Sequence, residues 1–203
     1  MSVTLHTSLG DIKLEVFCDT APRTSFNFLA LCASGYYNGT IFHRNIPGFM
    51  IQGGSRKESS DNKKAVEDES IWGKGVSFDN EFHPNNLHEQ RGVVSMANLQ
   101  GPNTNRCQFF ITYQRQAHLN HQYTVFGRVL DGWDVLDKME ALVPMSDTAT
   151  ADAADSSGKK KKKNLQFRPL HPPIIKAVSI HANPLADDYI VYPTPDGPPE
   201  KRV

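Results

Sequence analysis

Two stretches of the chain set single polar side chains inside apolar runs, and these are the residues equipped for chemistry. The first, Phe42 to Gly54, reads F-H-R-N-I-P-G-F-M-I-Q-G-G. Arg44 is its one fixed charge, since His43 is mostly neutral near pH 7. A guanidinium among Phe42, Ile46, Phe49, Met50 and Ile51 cannot be buried cheaply without a partner. Arg44 therefore either leaves a core strand for solvent or faces a pocket. The second stretch, Ser95 to Tyr113, reads S-M-A-N-L-Q-G-P-N-T-N-R-C-Q-F-F-I-T-Y. It carries Asn98 and Gln108 at positions that ought to face a core. Two such segments point to one shared pocket, apolar on its floor and supplied with a few directed donors. His118 and His121 lack a third ligand, so no metal is expected.

The elements that must position these residues are mostly strands. Val3 and Leu5 alternate with Thr4 and His6, a turn follows at Ser8-Leu9-Gly10-Asp11, and Ile12, Leu14 and Val16 alternate with Lys13 and Glu15. Pro22 suits the first turn of a helix and Gly35 its end. Phe28, Leu31 and Cys32 fall on one face of that helix, with Arg23 and Asn27 expected outside. Asn38-Gly39-Thr40 is a glycosylation acceptor only on a secretory route; the favoured reading is a tight turn into a strand at Ile41. Ser55 to Ser70 is charged and aperiodic and is expected to be a surface loop. Arg91–Val94 leads into the second stretch, and further strands are expected at Tyr123–Val129 and Pro173–Ile180, with a second helix over Gly132–Leu142 that puts Val135 and Met139 on one face. Many short strands with two distant helices predict an all-β antiparallel barrel whose ends are plugged by helices.

Bulk properties narrow the function. The 203 residues make one domain, 1–183, with a 55–70 loop, a low-complexity insertion at 145–164 and a tail at 184–203 holding five prolines. Lys and Arg total 22, as do Asp and Glu, so no global basic field recruits nucleic acid. Lys159–Lys163 is either a solvated run or a nuclear-import or RNA-phosphate patch. Three cysteines without a C-x-x-C argue against a disulfide framework or zinc site and for a reducing compartment. No signal peptide and no apolar run of membrane-spanning length is read in the sequence. A soluble monomer is expected, without membrane association.

The two polar-in-apolar stretches, F-H-R-x-I-x-G-F-M-x-Q-G-G and S-M-A-N…G-P-N-T-N…Q-F-F-I-T, resemble the signature of the cyclophilins, the cyclosporin-binding peptidyl-prolyl isomerases. The likeness runs from about Val3 to about Asn183. Within the family it is nearest the short, spliceosome-associated isomerase-like three subfamily, through M-S-V-T-L-H-T, A-L-C-A-S-G-Y-Y-N-G-T-I-F-H-R-N-I and S-I-H-A-N-P. The resemblance implies a closed eight-stranded barrel capped by two α-helices, with the working groove on its outer wall. It implies Arg44 as the catalytic residue and a substrate site of Phe49, Met50, Gln52, Ala97, Asn98, Gln108, Phe110, His118, Leu119 and Tyr123. No cofactor is implied. The partners implied are proline-containing peptides and spliceosomal proteins, and the location the nucleus, with the cytoplasm as a second.

The chemistry implied is rotation of an X-Pro bond, a barrier of roughly 18–20 kcal/mol crossed unaided in about 10–100 s. Twisting breaks amide resonance and returns a lone pair to the prolyl nitrogen, so a donor aimed there favours the transition state. A pure binding module for proline segments is the competing reading, and it has no need of Arg44. A lipocalin-like carrier has no need of either signature. Three departures from the family pattern stand out: the 55–70 loop has no glycine, Leu99-Gln100 fills a one-residue gap, and Arg106-Cys107 replaces Gly-Ser. The last two are expected on the rim and to alter affinity for the residues flanking proline, and the first leaves the family's preference on its side of the groove open. His118 stands where strong cyclosporin binders carry tryptophan, so weak cyclosporin binding is expected.

Overall fold

Alternating burial builds the first hairpin. Strands β1 (Ser2–Thr7) and β2 (Gly10–Val16) pair Val3 with Leu14 and Leu5 with Ile12, and all four side chains are buried. A helix, α1 (Pro22–Ala33), leads to β3 (Thr40–Ile46) and β4 (Met50–Ser59). A two-residue ribbon, β5 (Glu69–Ser70) with β6 (Gly73–Lys74), precedes β7 (Val93–Met96) and β8 (Phe109–Thr112). A 3-10 turn, Ala117–Leu119, then leads into β9 (Val125–Asp131), α2 (Trp133–Glu140) and β10 (Ile175–Ile180). This computed structural model describes residues 1–59, 68–98, 101–144 and 167–181, without the side chains of 57–59.

Eight strands form one antiparallel sheet in the order β10-β1-β2-β9-β7-β8-β4-β3. The barrel expected from the sequence is present, but its seam is thin. β3 and β10 meet through one bridge, Ile41 to Ile174, with Phe42 N–H donating to Pro173 O (2.9 Å) and Gly39 N–H to Ile175 O (2.8 Å). The barrel is nearly closed. Its lumen is filled by side chains: Phe28 from α1 packs on Tyr37, Phe109 and Phe126, with ring centroids 5.4, 5.5 and 5.0 Å away.

The helices are held by residues far off in sequence. Pro22 starts α1, and Ala21 before it offers no side-chain cap. Glu81 supplies the cap instead, accepting from Arg23 N–H (3.0 Å), Thr24 N–H (2.7 Å) and Thr24 Oγ1 (2.6 Å). Before α2, Gly132 has φ 90°, and a Cβ there would lie 2.3 Å from Asp11 O, so only glycine fits. Val135, Leu136 and Met139 then turn inward.

Three expectations need correction. Asn27 does not face out; it is wholly buried, donating to Arg106 O (2.7 Å) and accepting from Ile71 N–H (2.9 Å). Those two backbone groups lie on separate segments, and a buried amide is the side chain able to serve both. The 55–70 stretch is not simply a surface loop, because Ser55–Ser59 continues β4 while Ser55, Asp68 and Ser70 are buried. Cys107 is not on a rim; it is fully buried in the main core, and burial pushes its thiol up to about 12. Leu99, Gln100, the 145–164 insertion with Lys159–Lys163, and the 184–203 tail lie outside the described residues. Among the described residues no helix is long and apolar enough to cross a membrane.

Candidate active site

The strand pleat sorts the signature residues between lumen and outer wall. On β4 and β8, Ile51, Phe109 and Ile111 join the main core, while Met50 and Phe110 form a separate cluster with Ala97 and Leu119. Arg44 reaches the outer wall by a bulge. Phe42 opposes Gly53 and Arg44 opposes Gln52, so His43 is an extra residue in the register. In a regular strand Phe42 and Arg44 would share a face. The added residue lets Phe42 point into the core while Arg44 points out beside Gln52. Gly53 is required opposite Phe42, since a Cβ there would come within 2.8 Å of the ring.

Nine of the eleven residues named from the sequence line one pocket of about 180 Å³: Arg44, Phe49, Met50, Gln52, Ala97, Asn98, Phe110, Leu119 and Tyr123. Phe110 and Tyr123 meet edge to face at 5.5 Å and 87°, which squares one corner of the apolar floor. Arg44 is half-buried at the edge, its Nη1 donating to Gln52 Oε1 at 3.4 Å. Burial lowers its pKa from the usual value, offset in part by Tyr123, and the guanidinium stays charged. Phe167 comes within 6.0 Å of the guanidinium carbon and adds an aromatic face. Asn98 Nδ2 donates to Gln122 O at 3.1 Å, while its buried Oδ1 has no partner among the described residues.

The other two residues sit elsewhere. Gln108 is behind the wall, accepting from Gln52 Nε2 at 2.8 Å. His118 is exposed and stacks on Phe49 with centroids 5.7 Å apart, outside the pocket lining. Beneath the floor is a residue sequence reasoning missed. His88 is fully buried and stacks on Phe110 at 6.0 Å and 10°. Its Nε2 lies 2.7 Å from Ser95 Oγ and its Nδ1 3.2 Å from Asn120 Oδ1. The carbonyl can only accept, so Nδ1 carries the proton and Ser95 donates to Nε2. Burial holds the His88 pKa down at about 4. No local signal marks His88, in a stretch of polar residues, as core. Phe167 was equally silent, following low-complexity sequence. Among the described residues no three His, Cys, Asp or Glu side chains cluster as metal ligands.

The chain matches the cyclophilin-type peptidyl-prolyl cis-trans isomerase family over residues 2–162. It belongs to that family. Relatives include peptidyl-prolyl cis-trans isomerase CYP18-1 of Arabidopsis thaliana, 52% identical over 186 residues, covering 92% of this chain and 99% of that protein. The human peptidyl-prolyl cis-trans isomerase-like 3 is 50% identical over 186 residues, with the same coverage. Among solved structures, a Cryptosporidium parvum cyclophilin in the presence of the dipeptide Ala-Pro superposes with a TM-score of 0.72 at 38% identity. That likeness covers 90% of this chain and 100% of the other. The outer-wall pocket of this cyclophilin is therefore the candidate site of X-Pro isomerisation.

Proposed function

We propose that this isomerase binds a prolyl ring on the Phe110, Met50 and Leu119 floor and drives rotation of the preceding bond with Arg44. The observation that carries this is a half-buried guanidinium lining an apolar pocket, braced by the Gln52 carbonyl at 3.4 Å. A guanidinium offers five N–H donors, so bracing by Gln52 leaves others for a substrate. The planar amide nitrogen is a poor acceptor and the twisted one a good one, so Arg44 acts mainly on the transition state. The apolar floor holds ground and transition states alike and sets affinity. Asn98 and Gln52 hold the substrate backbone. A gain of about 10⁵ in rate needs roughly 7 kcal/mol, from the donor and from this anchoring.

A protease-coupled assay on a proline tetrapeptide tests the reading. Arg44→Ala lowers kcat/KM by about 10²–10³, with a far smaller change in peptide affinity. Phe110→Ala instead chiefly raises KM. Turnover of Arg44→Ala at the wild-type rate overturns the role given to Arg44.

The substrates we infer are spliceosomal proteins in the nucleus. Support comes from the sequence likeness to a spliceosome-associated subfamily and from the Lys159–Lys163 run. A tagged chain with these five lysines changed to alanine then leaves the nucleus, and unchanged nuclear retention dismisses the import role.

A further inference from the structure

Behind Arg44 runs a line of side chains that ends on a buried carboxylate. Asp68 is 0% exposed although it belongs to the charged 55–70 stretch. Its Oδ1 accepts from Ser55 Oγ at 2.6 Å and its Oδ2 from Gln108 Nε2 at 2.6 Å. Gln108 Oε1 accepts from Gln52 Nε2 at 2.8 Å, and Gln52 Oε1 accepts from Arg44 at 3.4 Å. Taking a carboxylate out of water is costly, and hydrogen bonds from a hydroxyl and an amide offset that cost only in part. Its retention is better explained by position than by stability.

The line has a direction, and Asp68 sets it. A carboxylate only accepts, so Gln108 must turn its NH₂ toward Asp68 and its carbonyl toward Gln52. Gln52 must then turn its NH₂ toward Gln108, which leaves its carbonyl facing the guanidinium. Each amide has nearly the same shape after a half-turn about its last bond, so shape alone does not choose. With the carboxylate gone, Gln52 is free to present NH₂ to Arg44, donor against donor. We propose that Asp68 is a positioning residue for catalysis: through Gln108 it fixes the orientation of the Gln52 amide, and thereby holds Arg44 at the proline pocket. This rests on Arg44 being the catalytic donor.

The test uses full-length protein in the same assay, with melting temperatures measured in parallel. Asp68→Asn is nearly isosteric but can turn its carbonyl away, present NH₂ to Gln108 and reverse the line. It lowers kcat about 10-fold with KM changed less than about 2-fold, the pattern of a lost transition-state interaction. In a Gln52→Ala background Asp68→Asn has no further effect on kcat, because the link it acts through is missing. The decisive variant is the exchange that combines Asp68→Asn with Gln108→Glu. The carboxylate now placed at position 108 accepts from the amide introduced at position 68 on one side and from Gln52 on the other. The Gln52 carbonyl then faces Arg44 again.

The exchanged pair recovers kcat to within about 2-fold of wild type. Wild-type kcat in Asp68→Asn overturns the proposal. So does an undiminished effect of Asp68→Asn in the Gln52→Ala background, or an exchanged pair that melts like wild type yet stays slow. Should Asp68→Asn fail to fold, the exchanged pair decides alone, and loss of its fold or its kcat counts against the proposal. Failure of the underlying reading looks different, because Arg44→Ala then turns over at the wild-type rate whatever stands at position 68.

Discussion

Acid is expected to weaken this protein through His88, beneath the pocket floor. Its folded-state pKa is about 4 against an ordinary 6.5, because burial penalises the charged ring. The folded chain therefore binds a proton less readily than the unfolded chain. The stability that follows is fully present above pH 6.5 and is lost as pH falls toward 4. A gap of this size corresponds to about 3 kcal/mol, from roughly 1.4 kcal/mol per pKa unit. Urea unfolding of wild type and His88→Gln at intervals from pH 7.5 to 4 reads it directly. Both proteins share every other titrating group, so the difference between their curves isolates His88. Wild type is expected to lose about 3 kcal/mol more than the variant across that window. Parallel curves, within about 0.5 kcal/mol, refute the buried neutral imidazole.

Two further outcomes are expected. Glu81→Ala removes the carboxylate that caps the first turn of α1. It should cost about 2–3 kcal/mol and lower Tm by roughly 5–10 °C, with turnover in the cold unchanged, as differential scanning calorimetry and the isomerase assay would show. Cyclosporin should bind His118→Trp about 40-fold more tightly than wild type, from roughly 50 Å² of added apolar contact and one added hydrogen bond. Equal inhibition constants for the two proteins would remove His118 from the drug's contacts.

A shared pocket was legible because the two signatures are continuous in sequence and each mixes apolar runs with isolated polar groups, while Leu119 and Tyr123, which lie outside both, came from the family resemblance. Arg44, Gln52, Asn98 and Phe110 all come from these stretches and do meet in one pocket. The barrel was legible for the same reason, since two-residue alternation in β1 and β2 survives in the folded chain. What supports the pocket was not legible. Asp68 sits among Glu67, Glu69 and neighbouring polar residues, a composition that reads as solvated. Its burial follows from Ser55 and Gln108, partners 13 and 40 positions away. Asn27, Glu81 and His88 share this character: each polar side chain serves a backbone or ring group distant in sequence. Helical spacing put Asn27 on an outer face because it records where a residue points, and is blind to the segment later laid across it.

The extra residue at His43 gives strand β3 a property that extends beyond this site. Inside and outside on a strand are a matter of odd and even, so any count between two residues fixes their parity. In β3 the count from Phe42 to Arg44 is even, and the bulge makes it act as odd. One residue thus separates a core anchor from the cation that lines the pocket, without any change of side chain. Pairing the strand without the bulge, with every residue kept, would put both on one face, whereas deleting position 43 would make them direct neighbours that still face opposite ways. Point substitutions around the pocket can tune this enzyme gradually. A shift that regularises the Phe42–Arg44 pairing with every residue kept cannot, since the two side chains would then share one face.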